Sequence, residues 1–215
     1  MRIQVLYGHL GEGSPKQKFR ANMDAIYTLK TLENQHRDAT PEEQETLANY
    51  VGWGGLADAF DAEKTAWTGE YKELKAALTE EEYAAARAST LNAHYTSPTV
   101  IRAIYEALDG MGFEKGNILE PSMGVGNFFG MLPDSMLGSR LYGVELDSIT
   151  GRIAQKLYLQ AEIKVAGFET TDRRDFYDLA VGNVPFGNYR VSDKPYDKLG
   201  FSIHNYFFAK ALDQV

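Results

Sequence analysis

The run Asn183-Val184-Pro185-Phe186 follows an apolar stretch and combines groups that can grip a planar amino group. The Asn183 side-chain oxygen and the Val184 backbone carbonyl are two acceptors for its two hydrogens. Holding both draws the nitrogen toward a tetrahedral shape and localises its lone pair. Pro185 stiffens the turn, and Phe186 offers a ring to stack on the ring that carries the amino group. A second constellation is Glu120-Pro121-Ser122-Met123-Gly124-Val125-Gly126. Gly124 and Gly126 let backbone approach a ligand closely, and the helix start beyond them offers free amides. The spacing departs from G-x-G-x-x-G, because Phe129 holds the third glycine position. Glu120 would repel a pyrophosphate and suits a positively charged ligand, such as the amino group of a methionine moiety. A third is Glu145, placed to accept from both ribose hydroxyls of a nucleoside through charge-assisted bonds worth about 1.5–3 kcal/mol each. The weakest is Gly167-Phe168-Glu169, where Phe168 could pack on a purine and Glu169 could accept from its amino group. Each segment taken alone also reads as an ordinary turn, and Glu169 as a solvated carboxylate.

The elements that must carry these residues follow from hydrophobic spacing. Thr96-Ser97-Pro98 starts a helix whose apolar face is Val100, Ile101, Ile104, Tyr105 and Leu108, stopped at Asp109-Gly110. Short apolar strands are predicted over 117–119, 140–144, 163–166 and 176–181, each ending at one of the four constellations. Between them, Ser148 caps a helix with Ile149, Ile153 and Leu157 spaced by four, and a last helix covers about 202–215. Strands alternating with helices predict a parallel sheet with right-handed crossovers. Residues 1–90 read instead as a polar helical region. A helix is predicted from Lys16 to about His36, with Phe19, Met23, Ile26, Tyr27 and Leu29 on its apolar face. Thr40 and Thr79 begin two capping boxes. Between them lies Tyr50-Val51-Gly52-Trp53-Gly54-Gly55-Leu56, either a tight turn that plugs Trp53 into the core or a loop lining a ligand or nucleic-acid channel. The expected organisation is thus 1–90 helical and 91–215 α/β. Four strands are few, and the fourth would be an apolar edge. A longer polypeptide, or cover by the amino-terminal helices, is expected to protect it.

Composition narrows the chemistry. The chain has 215 residues and no cysteine, which excludes disulfides, thiolate metal sites and cysteine nucleophiles. No apolar run is long enough for a membrane span and no secretory signal pattern opens the chain, so a cytoplasmic location is expected. The four histidines, His9, His36, His94 and His204, have no metal-ligand spacing, and no metal is expected. The net charge of -8 is uneven: residues 41–90 hold eleven acidic and four basic side chains. No segment is a basic arm, so most phosphate-gripping surface is expected elsewhere. No G-x-x-x-x-G-K-[ST] loop occurs.

In order, Tyr95-Thr96-Ser97-Pro98, the Glu120–Gly126 loop, Glu145 and Asn183-Val184-Pro185-Phe186 resemble the amino-group DNA adenine methyltransferases of the gamma arrangement. YVGWGGLADAF, STLNAHYTSP, LEPSMGVGNFFG, VELDSITGRIA and GNVPFGNY are similar to the methylase domain at the front of large methylase–helicase proteins of conjugative elements and phages. The likeness covers about 45–215. It implies a Rossmann-like S-adenosylmethionine-dependent methyltransferase fold, an incomplete parallel sheet in the order 3-2-1-4 with an N-terminal helical region. That order would bring the Glu120 and Asn183 loops together at the switch point, within about 10 Å, a reach set by a strand spacing of ~4.8 Å.

By the same resemblance the cofactor is S-adenosylmethionine. Tyr95 and Thr96 pack on its methionine part, Glu120, Pro121, Gly124 and Gly126 form its loop, Glu145 takes the ribose, and Phe168 and Glu169 lie near the adenine. Asn183, Val184, Pro185 and Phe186 are implied to be catalytic. The partners implied are duplex DNA with a flipped adenine and a helicase region on the same longer polypeptide. Val184 stands where the family has its first proline; the backbone carbonyl is kept and rigidity is lost. The rival readings are methylation of RNA or a glutamine side chain, a degenerate non-catalytic module that binds DNA or a helicase partner, and a nicotinamide dehydrogenase, which Glu145 would serve equally.

Overall fold

The computed structural model describes residues 13–90 and 96–215. Tyr95 and His94 therefore lie outside the described residues, as does His9. Two compact units are formed, one from 1–95 with 147–157, the other from 96–146 with 158–215.

The second unit holds the sheet. Strands β1 (Asn117–Glu120), β2 (Arg140–Glu145), β3 (Glu162–Val165) and β4 (Leu179–Ala180) are all parallel, in the order β3-β2-β1-β4. The expected order and the α/β class are what the molecule adopts. Its register places Glu120 opposite Gly143 and Leu119 opposite Ala180. Strand β4 is shorter than the predicted 176–181. The Phe176 and Tyr177 amides donate to the Gln214 carbonyl, at 2.9 Å each, instead of to a strand. Asp178 N and Val181 N donate to the Asn117 and Leu119 carbonyls and carry the pairing one residue past each end of β4.

Helix α5 (Pro98–Gly110) is capped by Ser97, as predicted, and buries Ile101 and Tyr105. Val100, placed on the apolar face by its spacing, is exposed. The chain reverses through Gly112 at φ +87°, where only glycine is comfortable. Around β1 lie two apolar clusters. One joins Ile118 to Ile101, Tyr105, Phe128 and Met136. The other joins Leu119 and Val144 to Phe168, Tyr177, Tyr196, Ile203, Tyr206 and Phe207, and it takes in the inner face of α8 (Ile203–Gln214).

The first unit is helical: α1 (Pro15–Asn34), α2 (Pro41–Ala48), α3 (Thr68–Ala77), α4 (Glu80–Ser89) and α7 (Ser148–Leu157), with α6 (Asn127–Gly130) a single turn of the second unit. Thr40–Glu43 and Thr79–Glu82 form the expected reciprocal caps. Along α1, Phe19, Met23, Ile26 and Leu29 are buried and Tyr27 is not; its hydroxyl donates to Glu73. Helix α7 starts on Asp147, not Ser148: the Asp147 carboxylate accepts from Thr150 N at 2.8 Å and from its hydroxyl at 2.6 Å. A carboxylate at that place also favours the positive end of the helix dipole. Arg152 of α7 then pairs with Glu82 at 2.9 Å and with Glu33.

Trp53 is a core plug. Its ring packs against Phe19, Tyr50 and Phe60. Gly52 and Gly55 take φ of +67° and +74° to turn the chain around it. Buried Asn22 reads the turn, donating to Gly52 O at 2.6 Å and accepting from Val51 N at 2.9 Å. No helix among the described residues is long and apolar enough to cross a membrane.

Candidate cofactor and amino-group site

The site forms where β1 and β4 run side by side and their following loops diverge, the place where parallel α/β sheets bind ligands. Strand β1 ends on Glu120. The next turn is tied to β2 by two bonds: Met123 N donates to Val144 O at 3.0 Å, and Gly124 N donates to Glu145 Oε2 at 2.8 Å. Gly124 and Gly126 adopt φ of +58° and +83°. A Cβ on Gly126 would stand 2.5 Å from the Tyr158 ring, whose hydroxyl donates to Gly126 O at 2.7 Å. The turn is thus built from glycine for two separate reasons, backbone sign and space.

Glu120 is an unusually placed carboxylate. It is 2% exposed, and its Oε2 has no hydrogen-bond partner. Burial, helped by the nearby Glu145 charge, pushes its carboxyl well above the ordinary carboxylate range. Burial thus disfavours its charged form, which a cation delivered to it would favour. Its folded pKa exceeds its unfolded one, so the native state holds the extra proton. Stability is then full below the ordinary carboxylate range and falls as pH rises toward the raised pKa. Glu120→Gln is expected to flatten that fall. In thermal melts from pH 5 to pH 9, the variant should gain on the parent as pH rises. A constant difference in Tm would show that Glu120 is not the titrating group.

The adjacency expected between the two key loops is present. Ser122 Oγ donates to Asn183 O at 2.8 Å. A Cβ on Gly182 would stand 3.2 Å from Glu120 Cγ and 3.7 Å from Pro121 Cδ. Beyond this contact Phe186 is 55% exposed. Val184 packs part-buried on the Leu119 cluster and Pro185 is half-buried. Apolar contact thus holds the valine where a proline ring would have stiffened the backbone.

The remaining expected site residues divide. Thr96 is half-buried just ahead of the Ser97 cap. Glu145 keeps its place at the end of β2, but one carboxylate oxygen already serves Gly124 N. That bond fixes the orientation of the carboxylate beside the glycine turn. Phe168 departs from expectation. It is 2% exposed and packs between Phe207, at 5.0 Å, and Tyr206, at 6.3 Å. Its ring is part of the core, not an open purine platform, because α8 covers it. Glu169 is half-buried in the 3-10 turn after Gly167, with its carboxylate folded back against that glycine. His204 is exposed on α8 and its ring meets Ser202 Oγ. The Ser122 tie is not legible in the sequence: its hydroxyl follows Pro121 in the β1 turn, and its partner is a backbone carbonyl in the loop beyond β4.

No family model matches this chain. The whole chain aligns with Defense against restriction protein B of Escherichia phage P1, at 28% identity over 223 aligned positions and 8% of that protein's length. A stretch of 92 residues, 43% of the chain, is 34% identical to Type II methyltransferase M.CvrRI of Paramecium bursaria Chlorella virus XZ-6E and covers 24% of it. The chain therefore spans only a small part of each of these relatives. Among solved structures, a putative class I S-adenosylmethionine-dependent methyltransferase from Listeria monocytogenes superposes with a TM-score of 0.43 at 13% identity, over 91% of this chain and 69% of that one.

Proposed function

We propose that this chain is a methyltransferase module that uses S-adenosylmethionine to methylate the exocyclic amino group of adenine in DNA. The observation that carries the reading is the Ser122–Asn183 hydrogen bond, which sets the glycine turn and the amino-gripping tip side by side. The sequence likeness to a viral type II methyltransferase supports it. The residues present also fit the cofactor. The buried, unpartnered Glu120 Oε2 suits the amino group of the methionine part, Gly124 and Gly126 allow close approach, and Glu145 suits a ribose. When bound, S-adenosylmethionine supplies an electrophilic methyl group.

The protein's part is positioning. Glu120 and Glu145 would hold the donor. Asn183 Oδ1 and the Val184 carbonyl would accept the two amino hydrogens and localise the nitrogen lone pair. Phe186 stacks on the base. An adenine within a duplex has to leave the stack to reach this tip, at a cost of a few kcal/mol that stacking partly offsets. No strong general base would be required: as the N–C bond formed, the S–CH3 bond of the sulfonium would break to leave a neutral thioether, and the nitrogen, now cationic, would lose its proton to water.

The test is direct. Calorimetric titration with S-adenosylmethionine is expected to show one binding event. Labelled methyl groups should then pass to adenine-containing duplex DNA and not to a duplex of G·C pairs. Label that enters RNA or a glutamine side chain instead would move the substrate assignment, and no cofactor binding at all would favour a scaffold role.

A further inference from the structure

The loop 186–200, which follows the amino-gripping tip, has its own construction. Its underside is fastened to α8 by a buried ion pair: Lys210 Nζ lies 2.6 Å from Asp193 Oδ2, and the two residues are 3% and 8% exposed. The Tyr206 hydroxyl donates to the same oxygen at 2.7 Å. Lys210 also sits among the rings of Phe168, Tyr196 and Tyr206, with its nitrogen 5.3 to 5.9 Å from their centroids. A second tie runs from the Tyr196 hydroxyl to Asp213 at 2.7 Å. Within the loop, Asp197 accepts from Asp193 N at 2.8 Å.

The outer side has the opposite character. Tyr189, Arg190, Lys194, Lys198 and Leu199 are exposed. Among the described residues, none of the three cations has an ion pair. Arg190 Nη1 lies 4.0 Å from where a Gly200 Cβ would stand, so the fold brings the two ends of the loop together. The Tyr189 ring is folded back over Gly187, one residue from Phe186. Of the two carboxylates in the loop, Asp193 is neutralised from below by Lys210. The outward face is therefore net positive in a chain whose formal charge is -8.

We propose that the outer face of loop 186–200 is a DNA contact surface, in which Arg190, Lys194 and Lys198 meet backbone phosphates beside the target base and Tyr189 stacks on a neighbouring base. The proposal rests on the methylation reading above and adds the surface that would hold the strand. Charge complementarity selects the occupant: three unpaired cations beside an exposed ring match a phosphate chain with bases between its charges. The Asp193–Lys210 pair presents that surface from beneath, in the role of a positioning element.

The experiment uses the full chain loaded with S-adenosylmethionine and a short adenine-containing duplex. Affinity is measured across a salt series for the parent, for the triple variant Arg190→Ala/Lys194→Ala/Lys198→Ala, and for Tyr189→Ala. A control triple variant, Lys72→Ala/Arg102→Ala/Lys115→Ala, removes three exposed cations elsewhere. Each phosphate contact contributes about 0.9 to the slope of log affinity against log salt, so the loop variant should flatten it by about 2 to 3. The control should leave it unchanged. Tyr189→Ala should weaken binding about tenfold, an effect of the size expected for one lost base stack. An unchanged slope in the loop variant, with DNA still methylated, would overturn this surface and leave the methylation reading standing. If the parent neither binds nor methylates DNA, or prefers an RNA duplex, both fall.

Discussion

Asn183→Ala should reduce methyl transfer by at least about 10²–10³-fold while S-adenosylmethionine binds as before. The magnitude is that of removing one preorganised hydrogen-bond partner from a reacting centre. The backbone of this residue is anchored independently of its side chain. Its backbone carbonyl is held by Ser122 Oγ, and a side-chain substitution leaves that bond in place. The tip should therefore stay beside the glycine turn. Cofactor affinity should move by less than the ~1.4 kcal/mol of a tenfold change. Asn183→Asp keeps an acceptor oxygen of the same reach and should recover part of the rate. Single-turnover measurements at saturating cofactor and DNA would isolate the chemical step. Equal loss of cofactor affinity and of rate would remove Asn183 from the amino-gripping role.

The second large effect is on stability. Lys210→Met should destabilise the protein by about 3–5 kcal/mol, because it strands Asp193 as an uncompensated buried charge. For a chain of this size that corresponds to a fall in Tm of roughly 6–20 °C. Lys210→Met combined with Asp193→Asn should recover most of it, since the amide oxygen still accepts from Tyr206 and no charge is left behind. Thermal melts of the single and double variants form a cycle that reads the coupling. Additive losses would mean that the pair is worth no more than its separate contacts.

What could be read in the sequence was set by local rules. The capping boxes at Thr40 and Thr79 need only residues three apart, and both formed as read. The parallel order followed from strands separated by helices, and with it came the meeting of the Glu120 and Asn183 turns. The failures share another cause. Phe168 sits in a loop after β3 that looks exposed in one dimension. It is covered by Phe207, thirty-nine positions later. The predicted fourth strand lost Phe176 and Tyr177 because the distant Gln214 carbonyl competes for their amides. Lys210 gave no sign at all, since a lysine in an amphipathic helix reads as solvated until the loop carrying Asp193 folds onto it. Long-range partners decided each of these cases, and hydrophobic spacing does not carry them.

The two tryptophans of the chain, Trp53 and Trp67, both lie in the helical unit, where each packs edge-on or tilted against Phe19. The sheet unit holds tyrosines and phenylalanines but no indole. Emission excited at the red edge of indole absorption therefore follows the melting of one half of the molecule and is blind to the other. Set beside the far-ultraviolet dichroism, which sees every helix and strand, this distribution lets an unlabelled sample report whether the two halves come apart in one step or in two.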